Sequence, residues 1–209
     1  RSGQQLNSLS TQEPSNETNA FILNCPAEFM FETTPVNPQT GQPALSHIKT
    51  ALQKGMHVVT ANKGPVVHGY EELTSLARQK GKGFLFESTV MDGAPIYAMF
   101  REVLKCANLL GFFGILNSCT NLLLGMMEQG KSLEEAIEFG RSIGITETDP
   151  SNDIDGWDAS IKVALLVTVL MGVPLTPQEV DRTGIRDITP EMIQQAKAEG
   201  ERWKLVCSA

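Results

Sequence analysis

Asp158 and Lys162 stand four residues apart at the start of a long apolar run, WDASIKVALLVTVLMG. On a helix that spacing puts both side chains on one face. The carboxylate would then sit at the positive end of the helix dipole, which favours its ionised form. The lysine has Ile161, Val163, Ala164, Leu165 and Leu166 around it in sequence, and a helix apolar on nearly every side is normally buried. A buried ammonium must be paired or give up its proton. Burial favours the neutral amine and the carboxylate favours the charged one, so a group held in that balance can take and return a proton near neutral pH. The plainer reading is an i,i+4 ion pair worth about 0.3–0.5 kcal/mol. Glu147, Asp149, Asp153 and Asp155 crowd negative charge just ahead of the pair. Singly each reads as a solvated loop residue or a helix cap; as a set they suit a substrate bearing an ammonium group.

The elements that must position this pair follow from the pattern of the chain. EFMFETT reads as a strand, PALSHIKTALQKG as an amphipathic helix, MHVVTAN as a buried strand, YEELTSLARQKGK as a second helix and GFLFES as a third strand. That alternation predicts a parallel sheet covered by helices. After Gly93 the pattern changes. APIYAMFREVL predicts a helix opening on Pro95, and NLLGFFGIL a strand. SLEEAIEFGRSIG predicts a helix with the capping box Ser132-x-x-Glu135, and TPEMIQQAKAEG a helix with a Thr-Pro start, with WKLVCSA as a last strand. The fold class expected is α/β: a partial Rossmann-like parallel sheet unit at 21–92, then an α+β domain at 93–209, incomplete at its C-terminal end. Residues 1–20 hold too few large apolar side chains to offset ordering entropy and read as a mobile tail or loop.

Composition narrows the partners. The 209 residues carry 17 basic and 24 acidic side chains, a formal charge of -7, which argues against nucleic acid or an anionic membrane and for a small molecule. Cys25, Cys106, Cys119 and Cys207 are scattered without a C-x-x-C pair, so neither a zinc site nor a disulfide framework is expected, and a reducing cytoplasm is. The longest apolar run, 163–173, is too short to cross a bilayer.

Four motifs, HVVTANKGP at 57–65, FESTVMDGAPI at 86–96, GILNSCTN at 114–121 and GITETDPSNDIDGWDASIK at 144–162, resemble in their order the homoserine dehydrogenase family, and the likeness runs from about Cys25 to Ala209. The resemblance implies NAD- or NADP-dependent interconversion of L-homoserine and L-aspartate 4-semialdehyde, a step of the aspartate pathway to threonine, methionine and isoleucine. It implies that Lys162 is the acid/base lysine and Asp158 the partner that orients it and meets the substrate. Glu147 matches the glutamate that holds the substrate amino group, and Lys63 a lysine at the junction of substrate and nicotinamide. Thr34 and Gly144 match nucleotide-contacting positions. The main-chain oxygens of Glu87, Val90, Asp92 and Ala94 match a site for a monovalent cation such as sodium. A homodimer, paired through sheets across a two-fold axis, is implied as well. Several of these residues have plainer readings: Lys63 as a surface lysine, Thr34 as a strand end before Pro35, Gly144 as a helix C-cap, and Asp92-Gly93 as a tight turn.

The sequence also departs from the family pattern. It has no G-x-G-x-x-G, and Gly3 is the only glycine among residues 1–24, so the first half of the nucleotide domain is expected to lie outside the chain. The family's Asn-Gly-Thr-Thr-Asn stands here as Asn117-Ser118-Cys119-Thr120-Asn121, with Cys119 read as a buried structural thiol. Two functions are therefore expected to compete: a homoserine dehydrogenase catalytic region, or a non-catalytic remnant that dimerises or binds an amino acid without holding a nucleotide.

Overall fold

Two short apolar strands flanking an amphipathic segment build the first half of the structure, a computed structural model that describes residues 15–209. Helix α1 (Thr18–Asn24) leads to β1 (Phe29–Glu32), α2 (Ala44–Lys54), β2 (His57–Thr60), α3 (Lys63–Lys80) and β3 (Phe84–Leu85). The strands are parallel in the order β1-β2-β3, with Phe29 opposite His57 and Val58 opposite Phe84. Helix α2 turns Ala44, Ile48, Ala51 and Leu52 inward and stops at Gly55, whose φ of 92° suits a residue without Cβ. Ile48, Ala51 and Leu52 meet Val58 of β2 and Leu73 and Ala77 of α3 in one apolar cluster.

The loop between β1 and α2 lies directly on the first turn of α3. A Cβ on Gly41 would stand 2.7 Å from the Gly64 carbonyl oxygen, and one on Gly64 would stand 2.7 Å from that of Asn37. His68 Nε2 bonds the Pro38 carbonyl at 2.8 Å, and Asn62 Nδ2 donates to the Thr34 carbonyl at 3.0 Å. Asn62 also caps α3, its Oδ1 accepting from the Gly64 N–H. The expected helix at 70–82 therefore begins seven residues earlier, at Lys63. Pro65 is no obstacle there, because the first turn of a helix needs no N–H from it.

The second half is built around α8 (Trp157–Leu166), which continues as a wider turn through Met171 and is buried on nearly every side. Its companions are α4 (Ile96–Ala98), β4 (Phe113–Gly114), α5 (Ser118–Met127), α6 (Leu133–Ser142), α7 (Ser151–Ile154), α9 (Pro190–Ala198) and β5 (Cys207–Ser208). The Ser132/Glu135 capping box and the Thr189 cap form as the sequence predicts. Strands β4 and β5 pair antiparallel, with Gly114 opposite Cys207. Val66 and Val67 of α3 share a cluster with Ile161, Ala164 and Leu165 of α8, so apolar packing holds the start of one helix against the other. At roughly 1.5–3 kcal/mol for each large side chain buried, this contact outweighs any ion pair at the same junction.

Further expectations are corrected. Helix α1 begins inside the segment read as a tail, where Phe21, Ile22 and Leu23 supply the apolar surface and Ile22 is buried; residues 1–14 lie outside the described residues. The helix expected from Pro95 is a three-residue turn that widens at Met99–Val103. Of the strands expected at 108–116 and 203–209, Phe113–Gly114 pairs with Cys207–Ser208, and Phe112 and Ala209 exchange backbone hydrogen bonds beside them. Asn117 caps the start of α5. Among the described residues, no helix is long and apolar enough to cross a membrane.

Candidate active site

The first turn of α8 places Asp158 beneath the N-terminus of α3 and beside the junction of β4 and α5. Lys162 Nζ donates to Asp158 Oδ2 at 2.8 Å and to the Leu116 carbonyl at 2.8 Å. Lys63 Nζ lies 3.2 Å from Asp158 Oδ1. The side chains of Lys162 and Asp158 are only 14% and 18% exposed, so this is not the surface pair that spacing alone would permit. Exposed pairs such as Lys49–Glu72 contribute about 0–1 kcal/mol, whereas removing one partner of a buried pair costs about 3–5 kcal/mol. Burial pushes the Asp158 carboxyl up; the ammonium groups of Lys162 and Lys63, with hydrogen bonds from Lys162 and Asn117, outweigh it and hold the group below its ordinary 3.8. It stays an anion.

An ammonium has three hydrogens, and Asp158 and Leu116 take two from Lys162. The third is free for a ligand in a cavity of about 500 Å³ that Lys162 lines with Lys63, Asn117, Ser118 and Ser88. A second cavity, of about 120 Å³, opens on the other side of Lys63 and Asp158 and has Glu147, Asp149 and Asp153 on its wall and Trp157 beside them. Its anionic lining suits a cationic group, and the larger cavity beside it leaves room for a polar chain. Trp157 is fixed by Arg182, whose guanidinium stacks 3.4 Å above the ring.

The structure brings together Lys162, Asp158, Lys63 and Glu147 at these two cavities. Asp155 is drawn away: it forms a two-point pair with Arg186 at 2.8 and 3.0 Å on the exposed side of α7. Thr34 stands at the C-terminal end of β1, its N–H donating to the buried Glu32 carboxylate at 2.7 Å. Gly144, at φ 74°, ends α6 and lines neither cavity. Val90 and Asp92 line the larger cavity; the Glu87 carboxylate accepts from the N–H groups of Tyr97 and Ala98 at the start of α4, and the Ala94 carbonyl accepts from that of Ile96. Among the described residues, no group of three or more His, Cys, Asp or Glu side chains is placed to hold a metal. Cys119 is buried, and burial pushes its thiol up to about 11, against a hydrogen bond with Thr146. It is a packing thiol rather than a nucleophile.

Residues 95–209 match the family model described as homoserine dehydrogenase. The chain belongs to the homoserine dehydrogenase family. It is 37% identical over 190 residues to the NAD(+)-dependent homoserine dehydrogenase of Pseudomonas canavaninivorans, covering 91% of this chain and 54% of that protein. It is 40% identical over 183 residues to the homoserine dehydrogenase of Pyrococcus horikoshii, covering 86% and 57%. Its fold superposes on a putative homoserine dehydrogenase from Archaeoglobus fulgidus with a TM-score of 0.82 at 29% identity, over 91% of this chain and 58% of the other. A hyperthermophilic archaeal homoserine dehydrogenase in complex with NADPH gives 0.78 at 33% identity, over 98% and 60%. The chain thus spans a little over half the length of these relatives.

Two residues at the site are not singled out by the sequence. Asp153 passes as one acid among several. Asn117 could have been recognised as an N-cap, since it precedes the apolar run of α5, but its side-chain donors reach residues 36 and 41 positions away and leave no local trace.

Proposed function

We propose that this chain carries the acid/base and substrate-holding part of a homoserine dehydrogenase, interconverting L-homoserine and L-aspartate 4-semialdehyde. The observation that carries the reading is the sheltered Lys162–Asp158 pair, set between an anionic cavity and a roomier one. With the substrate ammonium against Glu147 and Asp153, the hydroxyl end extends past Asp158 toward Lys162. In its neutral form Lys162 takes the hydroxyl proton; Asp158 stabilises the ammonium that results, and the carbon is left as an aldehyde. In reduction the same ammonium returns the proton to oxygen. Lys63, between the cavities, offers a further positive charge to the oxygen as negative charge develops on it.

Bound NAD or NADP would supply the acceptor for the hydrogen that leaves that carbon with its electron pair. The nicotinamide end of such a cofactor fits here: Thr34 and Lys63 lie at the carboxyl ends of β1 and β2, the side on which open parallel sheets bind ligands. The sequence holds no Gly-rich turn for the pyrophosphate, so residues beyond these 209 would have to provide it.

The same reading makes the reaction part of threonine and methionine formation, in the cytoplasm, where the four free cysteines would stay reduced. It gives the Glu87–Ala94 turn a monovalent cation, supported by family membership alone. It makes the protein a homodimer, supported by the exposed Leu110, Phe113 and Val206 around β4 and β5. The test is absorbance of reduced nicotinamide with L-homoserine and NAD or NADP, beside calorimetric binding of each ligand. Turnover that Lys162→Ala abolishes supports the enzyme. L-homoserine bound without nucleotide binding or turnover would instead make the chain a non-catalytic remnant.

A further inference from the structure

Asn117 is buried at the junction of β4 and α5, and every polar atom of its side chain is engaged. Its Oδ1 accepts the Thr120 N–H at 2.7 Å and the Thr120 hydroxyl at 3.0 Å. A backbone N–H can only donate, which fixes the orientation of the amide: the carbonyl faces α5 and the NH2 faces away from it. That NH2 meets two carboxylates, Asp153 Oδ1 at 2.6 Å and Asp158 Oδ2 at 2.9 Å. The two oxygens are bonded to one nitrogen, so they can be no farther apart than the two bonds laid end to end, 2.6 Å and 2.9 Å, or 5.5 Å. Two anions that close repel unless a donor lies between them. The preceding residue completes the grip, because the Leu116 carbonyl holds the Lys162 ammonium.

We infer that Asn117 is a positioning residue of the site: its NH2 bridges Asp153 and Asp158, fixing the first toward the cationic end of the substrate and the second beneath Lys162. The inference deepens the homoserine dehydrogenase reading and rests on it for what the positioned groups do. A neutral bridging donor is the group this place requires. A cation there would neutralise the anionic wall of the smaller cavity, and an acceptor would drive the two carboxylates apart. Asp158 is faced by Lys63 from α3, Lys162 from its own helix, Asp153 from α7, and more distantly by the Cys119 and Cys207 thiols from α5 and β5. Asn117 is bonded to both acids and carries no charge.

The cap and the bridge use opposite ends of the amide, and this separates them experimentally. Asn117→Ser and Asn117→Asp both keep a side-chain acceptor for the start of α5, since serine and aspartate cap helices about as well as asparagine. Neither can bridge the two acids: an aspartate carboxylate has no donor, and the serine hydroxyl has one hydrogen where the amide offers two. The serine variant discriminates, because it changes no charge. Thermal unfolding should show it folded, and carbon-detected NMR of the carboxyl groups should show the Asp158 titration moved upward. L-homoserine binding should weaken about tenfold, the loss of one charge-assisted hydrogen bond at the site. In Asn117→Asp the upward movement should be larger, and adding Asp153→Asn should reverse part of it by restoring a donor opposite the new acid. A folded serine or aspartate variant whose Asp158 titrates as in the parent overturns the inference and leaves Asn117 a helix cap. A parent protein that binds no L-homoserine, while the Asp158 titration still moves in the variants, overturns the enzymatic reading and leaves the bridge standing.

Discussion

Asp155 and Asp158 are three residues apart in one acidic stretch, and each is paired with a cation, yet they belong to different worlds. Asp155 meets Arg186 in good two-point geometry at the exposed end of α7. Asp158 meets Lys162 and Lys63 under the N-terminus of α3, with Asn117 closing its remaining side. The first pair is open to water, whereas the side chains of Lys162 and Asp158 are mostly sheltered from it. Geometry of the pair itself therefore says little; desolvation is what separates a weak surface pair from a sheltered one that is costly to break.

Breaking the inner pair should have the largest effect. Lys162→Ala is expected to lower kcat about 10²–10⁴-fold, the usual worth of a positioned acid/base group, in the nicotinamide absorbance assay. Asp158→Ala leaves two ammonium groups without their shared anion and should cost about 3 kcal/mol in denaturant-induced unfolding. The pH dependence of stability sharpens the contrast. Because the folded-state Asp158 carboxyl lies below its ordinary 3.8, its contribution is present above that value and is lost as pH falls through it toward the folded one. Asp158→Asn should accordingly flatten the acid limb of the stability curve. Arg186→Ala should leave turnover unchanged and the thermal midpoint close to that of the parent; a large loss there would erase the distinction between the two pairs. The smallest effect concerns thiols: Cys106, which is exposed, should react with a thiol reagent in the folded protein, and the buried Cys119 and Cys207 only after unfolding.

Much of the frame is legible in local sequence. The strand, helix, strand alternation over 29–85 and the Ser132 capping box depend on neighbours within a few residues, and they form where the pattern places them. Helix α3 starts seven residues before the expected position, and only the approach of the Gly41 loop shows why glycine is needed at Gly64. Strands β4 and β5 are shorter than their apolar runs suggest, because a strand is defined by its partner and the run says nothing about where pairing ends.

By itself the sequence determined that Lys162 and Asp158 share a helix face and that this helix is buried, since the i,i+4 spacing and the apolar neighbours are properties of one short segment. Tertiary structure alone decided the rest of the site: Lys63 arriving from 95 positions away (63 to 158), the Leu116 carbonyl holding Lys162, and the Asn117 amide set between two acids while Asp155 swings out to Arg186. Charge and hydrogen bonding act through space, over a few ångströms, and the chain order does not encode which distant groups packing will bring within that reach.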